Sequence, residues 1–305
     1  MARRLITQVA LGVVTFLGVV TITFILQNIV PGDPARALVP RAISPEQLAE
    51  IRTQLNLDEP LLVQYTSYVW GMFSGDLGTS YVEGSSVTSL LWARLPATIA
   101  LAVAGVVVEI VLGTLFGVTA VLRPSLSRFV TGTTLLLLAV PVFTLGLGLL
   151  LLFGYRLGWA PVTGGTGPAQ LILPALALGL IGAPYYAQIV REQLQESLGS
   201  AYVRTAVTKG ASNRRILARH VVRNVSSPLV TMIGLDLGIF ISGVVVIEAV
   251  FGWPGMGQLA VLSLNRLDRP VVMGTVVVAA AAVIIFNILA DFVRMLVDPR
   301  TRVQS

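Results

Sequence analysis

The chain has 305 residues, of which 55% are hydrophobic and only 12% charged, with a formal net charge of +6. Soluble domains carry about a quarter of their residues as charges, so a mean hydropathy of +0.83 assigns most of this chain to lipid. It has no cysteine, which excludes disulfides, thiolate metal sites and cysteine nucleophiles. A single histidine, His220, leaves no multi-histidine metal site within the chain.

A helix that crosses the hydrocarbon core needs about 20 mostly apolar residues. Six runs reach that length, at about 7–30, 97–121, 129–153, 171–190, 228–250 and 271–293. They are too long and too continuously apolar for barrel strands, so the expected fold class is an all-α polytopic membrane protein. The first run follows Arg3 and Arg4, as a signal peptide would, but it is too long for an h-region and lacks a small-x-small cleavage site. It is read as a retained first span.

Residues 31–95 carry Asp33, Glu46, Glu50, Asp58, Glu59, Asp76 and Glu83 against four arginines, a net of −3. Ser44-Pro45-Glu46-Gln47 predicts a helix start, with Ser44 as N-cap and Gln47 closing a capping box. Leu48, Ile51 and Leu55 continue it at helical spacing. Asp58-Glu59-Pro60 predicts a second helix with Leu62, Tyr65, Val69 and Met72 on one stripe, ended by Gly75-Asp76-Leu77-Gly78. The region reads as a helical lid packed on the bundle, a surface that can also dock an external partner.

Within the spans, Pro141 and Pro184 and the glycines Gly105, Gly113, Gly117, Gly146, Gly148 and Gly179 read mainly as packing positions. Glu109, Asp236 and Asp291 lie in or near spans, and Glu248 near an outer end. Carboxylates at membrane depth are costly and usually face a cavity or a partner. Asp291 sits beside Arg294 and reads as interfacial. Glu248 reads either as a cap of the Phe251-to-Gly257 turn or, with Asp236 and Glu109, as a residue of a translocation path.

The remaining organised region is the loop at about 191–226, seven basic residues against Glu192 and Glu196. Tyr202 to Thr208 predicts a short helix, Gly210 a C-terminal cap, and Ser212 or Asn213 the start of a second helix carrying Arg214, Arg215, Arg219 and Arg223. With the N-terminus inside, inside segments hold 14 Lys and Arg and outside segments 7, so this loop and both termini are expected in the cytoplasm. The same asymmetry explains the basic pI of about 10.2 without nucleic acid. No Gly-Lys-Ser/Thr loop is present, since Lys209 is the one lysine and stands between Thr208 and Gly210. No convergent catalytic set is present either.

Six segments in a fixed order then give a resemblance. They are Val30-Pro31-Gly32-Asp33-Pro34, Leu57 to Tyr65, Gly75-Asp76-Leu77-Gly78-Thr79-Ser80-Tyr81, Arg94-Leu95-Pro96-Ala97-Thr98, Tyr202 to Asn224, and Ile247-Glu248-Ala249-Val250-Phe251-Gly252-Trp253-Pro254-Gly255-Met256-Gly257. Asp298-Pro299-Arg300 follows them in the tail. Over nearly its whole length the chain resembles the membrane permease subunit of a binding-protein-dependent ABC importer, most closely the first (B-type) permease of the dipeptide/oligopeptide/nickel branch. Tyr202 to Asn224 is similar to that superfamily's EAA loop, with Ala206 and Gly210 as its small-residue core.

The resemblance implies a type I importer permease fold. Residues 1–94 would form the first span and the extracytoplasmic helical region, 95–298 the transmembrane domain, and 299–305 a short tail. It implies an ATPase contact set of Tyr202, Arg204, Thr205, Ala206, Lys209, Gly210 and Arg214. The implied partners are a second related permease, two cytoplasmic ATPases that bind ATP and Mg, and a solute-binding protein, in a prokaryotic plasma (inner) membrane. This chain would hold no cofactor or metal and would not itself be an enzyme. Peptides are the implied cargo, with nickel chelates and haem as family alternatives. The family more often has an uncharged residue at 236, so Asp236 is a departure. A self-contained channel or secondary transporter is the competing reading, opposed by the absence of obvious repeats or of a midplane ion-site cluster. A membrane-embedded enzyme is a weaker third.

Overall fold

The computed structural model describes residues 2–29, 32–38, 44–161, 165–209, 222–241 and 244–297. The described residues are helical apart from turns and one isolated bridge, Thr79 to Ser86. The helices are α1 (Ala2–Ile29), α2 (Pro34–Ala37), α3 (Pro45–Gln54), α4 (Leu61–Ser74), α5 (Val87–Leu122), α6 (Pro124–Ala139) and α7 (Val142–Leu149, continued as a π-helical turn Leu150–Arg156). After these come α8 (Pro168–Gly199), α9 (Ala201–Thr208), α10 (Val222–Ile241), α11 (Val245–Phe251), α12 (Met256–Asn265) and α13 (Arg269–Val297).

Among the described residues four helices are long and apolar enough to span alone, and two bent helix pairs bring the number to six if each pair is one span. The expected run 129–153 is broken at Pro141, where α6 and the α7 segment meet at 106°. Pro141 has no N–H for a continuing helix and its ring forces Val140 out of the helical region, to ψ 124°. The run 228–250 is likewise two helices, α10 and α11, at 59°. Two helices outrun their expected spans. At 36 and 32 residues, α5 and α8 reach about 54 and 48 Å, against a hydrocarbon core of about 30 Å.

The centre of the bundle is the seam between α5 and α8, the most extensive helix contact in the chain. Glycines on both sides make it possible. A Cβ on Gly117 would meet the carbonyl of Ala187 and the Cβ of Val190 at 2.7 Å, and one on Gly105 would meet Leu178 at 3.0 Å. Gly113 accommodates Tyr186, and Gly179 accommodates Val108. Gly146 packs more loosely, 3.4 Å from Phe251, and Gly148 meets nothing, so the expected packing role does not extend to it within this chain. A second close pair is α10 with α13, where Gly234 admits Ala290. Helix α1 lies at the periphery against α13, with 6% of its span buried against 56% for α8.

The outer insertion folds as a lid. Ser44 Oγ accepts from Gln47 N, and the Gln47 side chain accepts from Ser44 N, so α3 starts in the expected capping box. Gly75 ends α4 in the left-handed region, at φ 82°. The packed face of α4 is Tyr65, Tyr68, Val69 and Met72, whereas Leu62, expected on that stripe, is 73% exposed. Tyr65 anchors the lid to α1, by a 2.7 Å hydrogen bond between its hydroxyl and that of Thr21 and an edge contact with Phe24. Beneath it lies a cavity of about 450 Å³ lined in part by Asn28, Tyr68, Tyr81 and Arg269. Burial there raises the Tyr68 and Tyr81 hydroxyls above the usual tyrosine range.

Candidate functional site

The cytoplasmic end is built by extending α8 beyond the membrane and turning the chain once. Ser200 is the turn: it is extended (ψ 151°) between two helices, and its hydroxyl donates to the Ser197 carbonyl at 2.5 Å. Helix α9 follows over Ala201–Thr208, where the sequence predicts it. Val203 is 4% exposed and packs with Val190 and Leu194 of α8, with Val118, Val121, Leu198 and Leu229 around them. Val203 therefore seats one face of α9 on the end of α8, in an apolar cluster to which α5 and α10 also contribute. Thr205 and Lys209 are exposed; the Thr205 hydroxyl donates to Ala201 O at 3.0 Å and Lys209 N to Thr205 O at 3.1 Å, closing the last turn. Tyr202, Arg204 and Ala206 belong to α9 by their backbone. Gly210, Arg214 and the predicted second helix start at Ser212 or Asn213 lie outside the described residues, as does the tail 299–305.

Sequence reasoning missed Val203 and its partners. The signal was present, since an apolar residue one position from Tyr202 in a basic segment marks the inward face of a short amphipathic helix.

At the opposite, outer end two of the quoted segments meet. Thr98 Oγ1 donates to Glu248 Oε1 at 2.9 Å and accepts from Met256 N at 2.8 Å. Glu248 Oε2 accepts from Gln258 N at 2.9 Å, and Trp253 Nε1 donates to Ala97 O at 2.9 Å. Glu248 is 0% exposed, with Oε1 bonded to Thr98 and Oε2 capping the start of α12. The glycines of the segment follow from this geometry. Gly252 turns the chain at φ 61°, and a Cβ on Gly255 would overlap the Glu248 carboxylate.

A second outer junction forms around Asp268, which the sequence did not single out. Asp268 Oδ2 accepts from Ser80 Oγ at 2.5 Å and its Oδ1 from Tyr81 N at 3.0 Å. Asp76 Oδ1 accepts from Gly78 N at 2.9 Å, and Gly78 has φ 87°. The Gly75-to-Tyr81 segment is thus a shaped turn that fastens the lid to the start of α13. Asp33 caps α2 and pairs with Arg52 at 2.8 Å, and Arg52 also bonds Asp58 at 3.0 Å. Asp58 and Asp33 hold the Arg52 guanidinium above its ordinary range.

Within the membrane Glu109 and Asp236 lie within electrostatic reach of each other. Glu109 is on α5 and 2% exposed; Asp236 is half-buried on α10 and accepts from the Tyr186 hydroxyl of α8 at 2.6 Å. The side chain of Asp291 lies outside the described residues. The described residues hold no group of three or more His, Asp or Glu able to take a metal ion.

Comparison with known proteins places these features. The family described as the binding-protein-dependent transport system inner membrane component matches residues 109–303, and the N-terminal component of the same system matches 1–102. The chain belongs to that family. The permease is 33% identical to the oligopeptide transport system permease protein AppB of Bacillus subtilis, with 98% of this chain and 99% of the relative aligned. It is 32% identical to the dipeptide transport system permease protein DppB of Escherichia coli K12, with 99% of each covered. A putative peptide transport system permease of Brucella abortus is 35% identical, again with 99% of each covered. Among solved structures, the inward-facing MetNI methionine ABC transporter superposes with a TM-score of 0.54 at 18% identity, covering 68% of this chain and 96% of that one. An amino acid ABC transporter with histidines gives 0.50 at 14% identity, covering 70% and 94%. These two support the fold, an ABC importer permease bundle, and the family places the permease in the inner membrane.

Proposed function

We propose that this permease is one half of the translocation path of an ATP-driven importer whose cargo is peptide. An extracytoplasmic solute-binding protein delivers the peptide to the outer face. A second, related permease completes the path, and two cytoplasmic ATPases bind ATP and Mg and hydrolyse it; this chain holds neither and is not itself the enzyme.

The observation that carries the reading is α9, a short cytoplasmic helix fixed on its inner face by Val203 and exposed at Thr205 and Lys209. A helix held rigidly on one side can pass a push from a docked ATPase into α8, whereas a free loop would absorb it. Tyr202, Arg204, Thr205, Ala206, Lys209, Gly210 and Arg214 form the proposed ATPase contact, and Asp236 and Glu109 the proposed polar station of the path. Peptide cargo follows the named transport of the relatives at 32–35% identity.

The test is gentle extraction of the tagged chain and identification of its partners, followed by uptake. An ATPase, a second permease and a binding protein should copurify, and peptide uptake should need ATP. Gly210→Asp should abolish uptake and leave membrane insertion intact. Recovery of the chain alone from membranes in which it is active, with uptake driven by an ion gradient, would overturn the proposal.

A further inference from the structure

Glu109, Tyr186 and Asp236 meet where α5, α8 and α10 converge, and the chain is shaped to hold them. A Cβ at Gly182 would overlap Glu109 Oε1, and one at Gly113 would overlap Tyr186, so glycines clear the space both side chains occupy. Tyr186, 1% exposed, has one hydroxyl proton, and it is committed to Asp236 Oδ2 at 2.6 Å. Glu109 lies within electrostatic reach of both residues. Its Oε2 is buried and has no hydrogen-bond partner among the described residues.

The segments 95–122, 157–190 and 224–265, which carry the three residues, contain neither lysine nor arginine to pair with either carboxyl. Asp236 is only half-buried, and on the same side of α10 Leu235 and Ile239 are 40% and 57% exposed. A carboxylate directed into lipid costs at least about 2.5 kcal/mol. This side of α10 therefore faces water or protein and not acyl chains. The donor set also limits the ligand. Two carboxylates and one hydroxyl fall short of the six or more oxygens a Ca²⁺ takes, whereas an ammonium presents three donors to a few acceptors.

We propose that Asp236, oriented by the Tyr186 hydroxyl and with the Glu109 carboxyl beside it, is a station on the translocation path that binds an ammonium group of the peptide in transit. The assignment rests on the peptide-importer reading. The ammonium comes from two sources, the peptide's amino terminus or a lysine side chain, and each can be read separately.

The experiment uses the complete complex in proteoliposomes, with trialanine, N-acetyl-trialanine and N-acetyl-Ala-Lys-Ala as probes, each saturating the binding protein. The readout is the uptake of each probe by the variant divided by that of the wild type. Asp236→Asn should lower trialanine uptake about tenfold and leave N-acetyl-trialanine within twofold, a tenfold discrimination corresponding to about 1.4 kcal/mol. Loss of N-acetyl-Ala-Lys-Ala as well extends the station to lysine side chains, and its retention restricts the station to the amino terminus; the assignment holds in both cases. Tyr186→Phe, which keeps the ring and the Cβ that Gly113 admits, should shift the same quotient in the same direction by about threefold, and it serves where Asp236→Asn fails to assemble. An equal loss of all three probes, or no change in trialanine, would overturn the assignment while leaving the importer reading in place. A wild-type complex that carries no peptide would remove the peptide reading and the station with it.

Discussion

The outer polar knot offers the sharpest test of how the bundle is held. Thr98→Val keeps the β-branched shape and volume but removes an oxygen that serves two buried partners, Glu248 Oε1 at 2.9 Å and Met256 N at 2.8 Å. Thr98 and Met256 are 0% exposed, so water cannot replace the lost bonds. A buried group left unsatisfied costs about 1–3 kcal/mol, so the two together cost about 4 kcal/mol. At about 2 °C per kcal/mol for a chain of this size, the midpoint should fall by about 8 °C. The assay is thermal unfolding of the detergent-purified chain followed by tryptophan fluorescence, since Trp253 is anchored to Ala97 beside the knot. Thr98→Ser is the control: it keeps both bonds and loses one methyl, about 1 kcal/mol. If Thr98→Val melts within 2 °C of Thr98→Ser, the hydrogen bonds do not hold this junction and apolar packing alone does.

Two further substitutions test the seam and the lever. Gly117→Leu should prevent α5 from seating on α8, because even a Cβ there meets Ala187 O and Val190 at 2.7 Å; Gly132→Leu, with nothing within 4 Å, should accumulate normally on a membrane immunoblot of the chain expressed alone. Equal levels for the two would show that the seam tolerates separation. Val203→Ala removes two buried methyls from the α9 anchor, about 2 kcal/mol with the cavity it leaves. Cargo-stimulated ATP hydrolysis by the assembled complex should fall severalfold at unchanged complex yield, and wild-type stimulation would show that α9 needs no fixed seat.

What the sequence reveals depends on how local the cause is. The capping box at Ser44, the turn at Gly75 and the short helix over Ala201–Thr208 are readable because each is decided by residues within one turn of itself. The break at Pro141 is half readable: a proline in a span announces a kink, but its 106° angle depends on what the two halves pack against. The lengths of α5 and α8 are hidden because a hydropathy window stops where the apolar run stops, while the helix continues on packing. Asp268 is invisible in sequence, as its partners Ser80 and Tyr81 lie almost 190 residues away. The meeting of Glu109, Tyr186 and Asp236 is hidden for the same reason, although the two carboxylates, flanked by spans without a basic residue, could be flagged individually.

The helix contacts divide the bundle in a way that bears on transport. Helices α5 and α8 are packed closely through glycines on both sides of their seam. Helices α10 and α13 form a second close pair, with Gly234 against Ala290 and Gly238 against Phe286. The contact of α10 with α5 and with α8 is much slighter than either seam. Across that slighter contact runs the hydrogen bond from Tyr186 to Asp236. Helix α9 is seated on the end of α8, so under the proposed ATPase coupling a displacement of α9 would pass along the helix from Leu194 to Tyr186, which bonds Asp236. The apolar cluster of Ala102, Ile241 and Ala282 crosses the same boundary, so this hydrogen bond is one of several contacts there. The boundary between the two helix pairs is thus where Asp236 of one pair meets Tyr186 of the other, beside the buried Glu109.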